Sequence, residues 1–244
     1  MTSLLKSNTL KFVSSRWSLC GWFSAVLIPP IFLFFTLNAQ PEIQAFSEQS
    51  LTVYLQFLSL AQLGIILAAA SFIGEEFTRS SMRTTLLICP SRIKLMLANG
   101  LVILLSTFIA FFLANLLSLL VLANQLSSSE SIYSLLFLNH LVQVIPTILS
   151  WLFLGLISAN LALLFQSLIA PIASLFPLIL GLSQMILSFT KLAIYLPDLA
   201  VNNLFQLTQH PIFLAPFEGV SVQFIWCLSL AILAGFFFQK RAFR

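Results

Sequence analysis

Long apolar runs separated by short polar joints dominate this chain. Runs at 19–38, 54–74, 97–122, 139–165, 168–188 and 220–239 are each predominantly apolar. Each has the roughly 20 residues that an α-helix needs to cross a hydrocarbon core of about 30 Å. Lipid offers no partner to an unpaired N–H or C=O, so such runs must be helical. The fourth and fifth runs meet around Phe165–Ser167 with no charge and hardly any loop, and Pro171 and Pro177 favour a break nearby followed by a second helix. The first run follows Lys6, Lys11 and Arg16 in the manner of a signal peptide, but its apolar stretch from Leu19 to Ala39 is too long and lacks a cleavage site. The pattern predicts one all-α transmembrane domain over 1–244, with no internal repeat, low-complexity tract or soluble domain.

Composition sharpens this picture. Charged residues make up 7% of the 244 and hydrophobic ones 59%, against about 25% charged in a soluble domain. The formal charge of +4 is spread between apolar runs, which fits membrane topology and not nucleic-acid binding. With the N-terminus in the cytosol and six spans, the cytosolic pieces hold Lys6, Lys11, Arg16, Arg79, Arg83, Arg92, Lys94, Lys240, Arg241 and Arg244, leaving only Lys191 of the 11 basic residues outside. The outer pieces take Glu42, Glu48, Glu130, Asp198 and Glu218, five of the seven acids. An odd number of spans would spoil that asymmetry, so both termini are expected to be cytosolic. Residues 3–16 are expected to form a short interfacial helix. The segment 189–218, interrupted by Pro197, Pro211 and Pro216, reads as short helical pieces dipping into the outer interface.

Candidate chemistry is sparse. No HExxH, GxSxG or Walker A pattern occurs, and His140 and His210 are seventy residues apart. The three cysteines, Cys20, Cys89 and Cys227, are scattered and odd in number. Catalytic and metal residues are therefore expected to be absent, and the chain is not expected to be an enzyme. The spans hold no clear buried Asp, Glu, Lys or Arg, the groups on which proton- and sodium-coupled pumps rely, although serine and backbone oxygens could bind sodium. Driving energy should then come from a partner protein. Gln62, Asn115, Gln143, Asn160 and Gln184 lie within spans. They either hydrogen-bond between helices, at about 1 kcal/mol each, or line a substrate path.

The joint between the second and third runs is the most informative segment: Gly74-Glu75-Glu76-Phe77-Thr78-Arg79-Ser80-Ser81-Met82-Arg83-Thr84-Thr85-Leu86-Leu87-Ile88-Cys89-Pro90-Ser91-Arg92. Arg79 to Ile88 reads as a short helix ended by Pro90, with Ser91 placed to cap the next helix. It serves either as a rigid transmitter between two spans or as a charged turn that satisfies topology. The order Glu-aromatic, small pair, Met-Arg-Thr-Thr-Leu-Leu, then Pro-x-Arg resembles the signature after the second span of ABC-2 type exporter permeases. Family members usually have Gly-Thr at Ser80-Ser81 and often a lysine at Asn99.

The resemblance implies a coupling helix at this loop that docks into an ATPase groove. The residues concerned are Glu75, Glu76, Arg79, Ser80, Ser81, Met82, Arg83, Thr84, Thr85, Leu86, Leu87, Pro90 and Arg92. It also implies six spans, both termini inside, an N-terminal interfacial helix and short outer helices before the last span. The implied machine sits in a bacterial cytoplasmic membrane and holds two ATPase subunits, which bind ATP and Mg. A second permease chain, identical or homologous, completes it, and this chain carries no cofactor of its own. The substrates that resemblance suggests are an antimicrobial peptide, a lantibiotic or a hydrophobic drug. Alternatives are an exporter of lipid or polysaccharide, or a membrane scaffold or channel with no ATPase.

Overall fold

The computed structural model describes residues 2–39, 47–78, 91–125, 130–206 and 210–240. Among them there is no strand, and six helices are long and apolar enough to cross a membrane. The protein is a multi-pass membrane protein. A short helix α1 (Thr2–Ser14) precedes α2 (Arg16–Ala39), α3 (Ser47–Thr78), α4 (Arg92–Gln125) and α5 (Glu130–Phe165). The fifth span comprises α6 (Ile169–Pro177), a π-helical turn Leu178–Leu182 and α7 (Ser183–Phe189). Two 3-10 turns, Lys191–Tyr195 and Leu199–Phe205, lead to the last span, α8 (Pro216–Lys240).

These helices overrun the apolar runs that announce them. α3 continues to Thr78 and α4 begins at Arg92, because charged side chains at a helix end can pair or snorkel while their backbone stays helical. The turn between α5 and α6 is as tight as the sequence implies. Gln166 adopts a left-handed conformation (φ 52°), and the Ser167 hydroxyl accepts a hydrogen bond from the Ile169 N–H at 3.2 Å. Pro171 falls in the first turn of α6, where a missing N–H costs nothing. A second discontinuity lies deeper, at Gly181 (φ 115°), just beyond Pro177.

α3 is the pillar of the bundle, with 72% of its spanning window buried against 11% for the fifth span. Its crossing with α2 depends on glycine. A Cβ on Gly21 would stand 2.5 Å from the Ala68 nitrogen, and one on Gly64 would stand 2.5 Å from the Ala25 nitrogen. Backbones this close gain dispersion along the whole contact, and lipid tails supply no competing hydrophobic force. Ser18 and Ser71 hydrogen-bond across the same crossing at 3.1 Å. Further along α3, Gly74 packs against the Leu168 backbone in the α5–α6 turn, where an added Cβ would lie 2.5 Å from the Leu168 Cα.

Two ends of the bundle differ in chemistry. The basic end gathers α1, the ends of α3 and α8 and the start of α4, with Lys6, Lys11, Arg16, Arg92, Lys94 and Lys240. At the other end, residues 190–206 fold down as a cap whose Leu199, Ala200, Val201, Leu204 and Phe205 are buried. Asn203 holds the returning segment of this cap. Its Nδ2 donates to the carbonyls of His210, Phe213 and Leu214 at 3.1–3.2 Å, and its Oδ1 accepts from the His210 N–H at 3.0 Å. His210 contributes its backbone to this clasp, consistent with a structural role.

Gly64→Val should lower the thermal unfolding midpoint in detergent far more than Gly100→Ala. The first forces the α2 and α3 backbones apart, with a cost of about 2–3 kcal/mol. The second adds a Cβ that meets only the Leu156 side chain at 3.8 Å. Equal shifts for the two variants would refute the close α2–α3 crossing.

Candidate functional site

The site expected from sequence, the loop after the second span, is described at its two flanks. Arg79, Ser80, Ser81, Met82, Arg83, Thr84, Thr85, Leu86, Leu87 and Pro90 lie outside the described residues. Glu75, Glu76 and Arg92 are within them.

Glu76 corrects the expectation that the spans hold no buried ionisable group. The second span runs on through it, and its side chain is 6% exposed. Burying a carboxylate is costly unless a cation and hydrogen bonds compensate. Compensation comes from α1: Lys11 Nζ donates to Glu76 Oε1 at 3.2 Å. One turn earlier on α1, Asn8 Nδ2 donates to Asn99 Oδ1 on α4 at 2.6 Å. Asn99 thus ties α1 to α4, and Lys11 supplies the positive charge that ties α1 to α3. Phe12 packs edge-on against Phe72 at 5.4 Å and seats α1 on α3. The opposite side of α1 leaves Lys6, Leu10 and Val13 exposed, a mixed polar and apolar face suited to a bilayer interface.

Arg92 closes the other flank. Its Nη1 donates to the carbonyls of Phe238 and Gln239 at 2.7 and 3.0 Å, and its guanidinium lies 6.0 Å from the Phe238 ring centroid. The last carbonyls of a helix have no intrahelical donor and carry partial negative charge. Arg92 therefore caps α8 from the first turn of α4. Both stumps of the 79–90 loop are consequently tied to other helices, Glu76 to α1 and Arg92 to α8.

The polar residues named for a substrate path sit in different settings where they are described. Gln62 Nε2 donates to the Ser150 hydroxyl at 3.3 Å, and the Tyr54 hydroxyl donates to Asn115 Oδ1 at 2.8 Å. Asn160 is buried and Gln184 is exposed on the fifth span. The side chain of Gln143 lies outside the described residues. Gln62 and Asn115 are thus engaged in contacts between helices.

A third polar group lies at the cap end, where the sequence marks Asp198 only as an outer acid. Ser183 follows the break in the fifth span, and its hydroxyl reaches the Leu178 carbonyl at 2.9 Å and the Asp198 carboxylate. Burial pushes the Asp198 carboxyl above the usual carboxylate range, while Ser183 and the nearby Asp198 and Leu199 backbone N–H groups pull it back. From the last span, Gln223 Nε2 donates to the Pro197 carbonyl at 2.6 Å and Trp226 Nε1 to the Tyr195 carbonyl at 2.8 Å. The proline-rich composition of this segment marked it as irregular. Nothing local marked Asp198 as folding inward.

Compared with protein-family models, curated proteins and solved structures, the chain matches none.

The junction at the basic end can be tested directly. Lys11→Ala leaves the Glu76 carboxylate buried without its cation and should lower stability by about 2 kcal/mol, allowing for the partial exposure of Lys11. Glu76→Gln in the same chain should recover part of that loss. Thermal unfolding of the two single variants and the double variant gives the coupling; strictly additive effects would show that the pair is not coupled.

Proposed function

We propose that this chain is the transmembrane subunit of an ATP-binding-cassette exporter in a bacterial cytoplasmic membrane. A separate ATPase subunit, in two copies, drives it. A second permease chain completes the transport unit. The transported molecule is an antimicrobial peptide, a lantibiotic or a hydrophobic drug. ATP and Mg act on the partner, and this chain performs no catalysis.

One observation supports the reading most. The loop whose sequence resembles the coupling segment of ABC-2 permeases leaves the bundle through two anchored stumps. Glu76 is fastened to α1 by Lys11, and Arg92 is fastened to the end of α8. A push on a segment held this way reaches α1, α3, α4 and α8 together, because short charged contacts yield little before the helices move. In the proposed mechanism, closure of the ATPase pair moves the 79–90 loop. The close Gly21–Gly64 crossing then carries that motion from α3 to α2 as a rigid unit.

Purification of the tagged chain in mild detergent from its native host, followed by mass spectrometry, is the first test. A stoichiometric ATPase carrying Walker motifs is the expected result. Its reproducible absence with the membrane protein intact would favour a scaffold or channel. Replacement of the Arg83–Leu87 face by alanine should then reduce ATPase association at least tenfold while membrane insertion is unchanged. Normal assembly and transport in that variant would remove the coupling role.

A further inference from the structure

We propose that the break in the fifth span, together with Asp198 of the cap and Gln223 of the last span, forms a binding site for a small monovalent cation of the size of sodium. Hydrogen-bond supply around Ser183 points to such an occupant, independently of the exporter reading. Ser183 has a single hydroxyl proton, yet its oxygen stands within reach of both the Leu178 carbonyl and the Asp198 carboxylate. It can satisfy one of them. Asp198 Oδ1 is buried and has no hydrogen-bond partner, and the same holds for Gln223 Oε1. Gln223 is fully buried at 0% exposure. Its other amide atom donates to the Pro197 carbonyl at 2.6 Å, which lays the amide against the peptide leading into Asp198. Asp198 stands at the start of the Leu199–Phe205 turn without making a capping hydrogen bond.

Although Ser183 and the Asp198 and Leu199 backbone N–H groups lie near the carboxylate, two buried oxygens, Asp198 Oδ1 and Gln223 Oε1, remain without a donor. Each buried acceptor left without a donor is destabilising, so such groups point to an occupant. A water molecule could donate twice but would leave the carboxylate charge in place. A proton would neutralise Asp198 but would leave the Gln223 oxygen unserved. A hard cation accepts several oxygens at once and neutralises the carboxylate. One carboxylate balances one positive charge, which favours sodium over calcium or magnesium. Lys191, the basic residue nearest in sequence, is exposed. Interrupted membrane helices are suited to such a role because the interruption releases backbone carbonyls, and here the interruption at Gly181 lies two residues before Ser183. The bound cation would fasten the cap to the hinge in the fifth span and to the last span.

The test is thermal unfolding of the full-length protein in detergent, at one mildly alkaline pH and constant ionic strength. The chloride salts of sodium, potassium and N-methyl-D-glucamine are compared. Sodium should raise the midpoint saturably, by about 3 °C or more over N-methyl-D-glucamine. Asp198→Asn and Gln223→Leu should each abolish the rise, whereas Glu218→Gln, at an exposed acid near the cap, should keep it. Equal midpoints in all three salts would overturn the proposal. A midpoint that follows pH but not the cation would do the same and assign the site to a proton. A sodium effect that survives in Asp198→Asn or Gln223→Leu would also overturn it. Should Asp198→Asn fail to fold, the wild-type salt comparison and Gln223→Leu still decide.

Discussion

In lipid, a backbone group that loses its helical partner finds no water to replace it, and this constraint governs where the chain can turn, break or stop. Among the described residues, four irregularities are each attended by a side chain that supplies a missing bond. Ser167 serves the turn between α5 and α6. Ser183 serves the break in the fifth span. Asn203 serves the cap, and Arg92 serves the end of α8. These polar residues are few because the lipid-facing surface must stay apolar. Each one therefore holds a place where two or three elements meet.

The same constraint separates the bundle into a stiff part and a pliant part. α2 and α3 approach until their backbones touch, and Ser18–Ser71 adds a hydrogen bond to that contact. At the basic end the ion pair, the Asn8–Asn99 bond and the Arg92 cap join α1, α3, α4 and α8. The fifth span is different: it is largely unburied, turns on Gly181 and is fastened near its end by Asp198. A displacement entering at the basic end would travel along the stiff helices and reach the cap, whose attachment passes through a few polar contacts.

Much of this was legible in the sequence, and what was not has a physical reason. Apolar runs of the right length announced all six spans, because crossing a bilayer imposes a local, one-dimensional requirement. Their ends were less legible. Glu76 belongs to the helix because Lys11, 65 residues away in sequence, pairs with it. Asn99 could be seen as a departure from a family pattern, yet its partner Asn8 lies 91 residues away. The prolines did mark a disrupted fifth span, but the kink falls at Gly181, which tolerates the positive φ that other residues avoid. Gln62 and Asn115 read first as hydrogen-bonding between helices and second as lining a path, and their placement opposite Ser150 and Tyr54 shows contacts between helices. Asp198 was counted as an outer charge, since nothing in its neighbourhood of sequence predicts a fold back onto Ser183 and Gln223.

The central claim is that α1, the ends of α3 and α8 and the start of α4 share one face of the membrane while the 190–206 cap occupies the other. Cysteine accessibility tests this most directly. In a chain with Cys20, Cys89 and Cys227 replaced, single cysteines at Thr85, Ser7, Gln239 and Gln209 would be labelled in sealed cells with an impermeant maleimide, before and after lysis. The account predicts that position 209 reacts in intact cells and that 7, 85 and 239 react only after lysis. Labelling of 85 and 209 from the same side would contradict it.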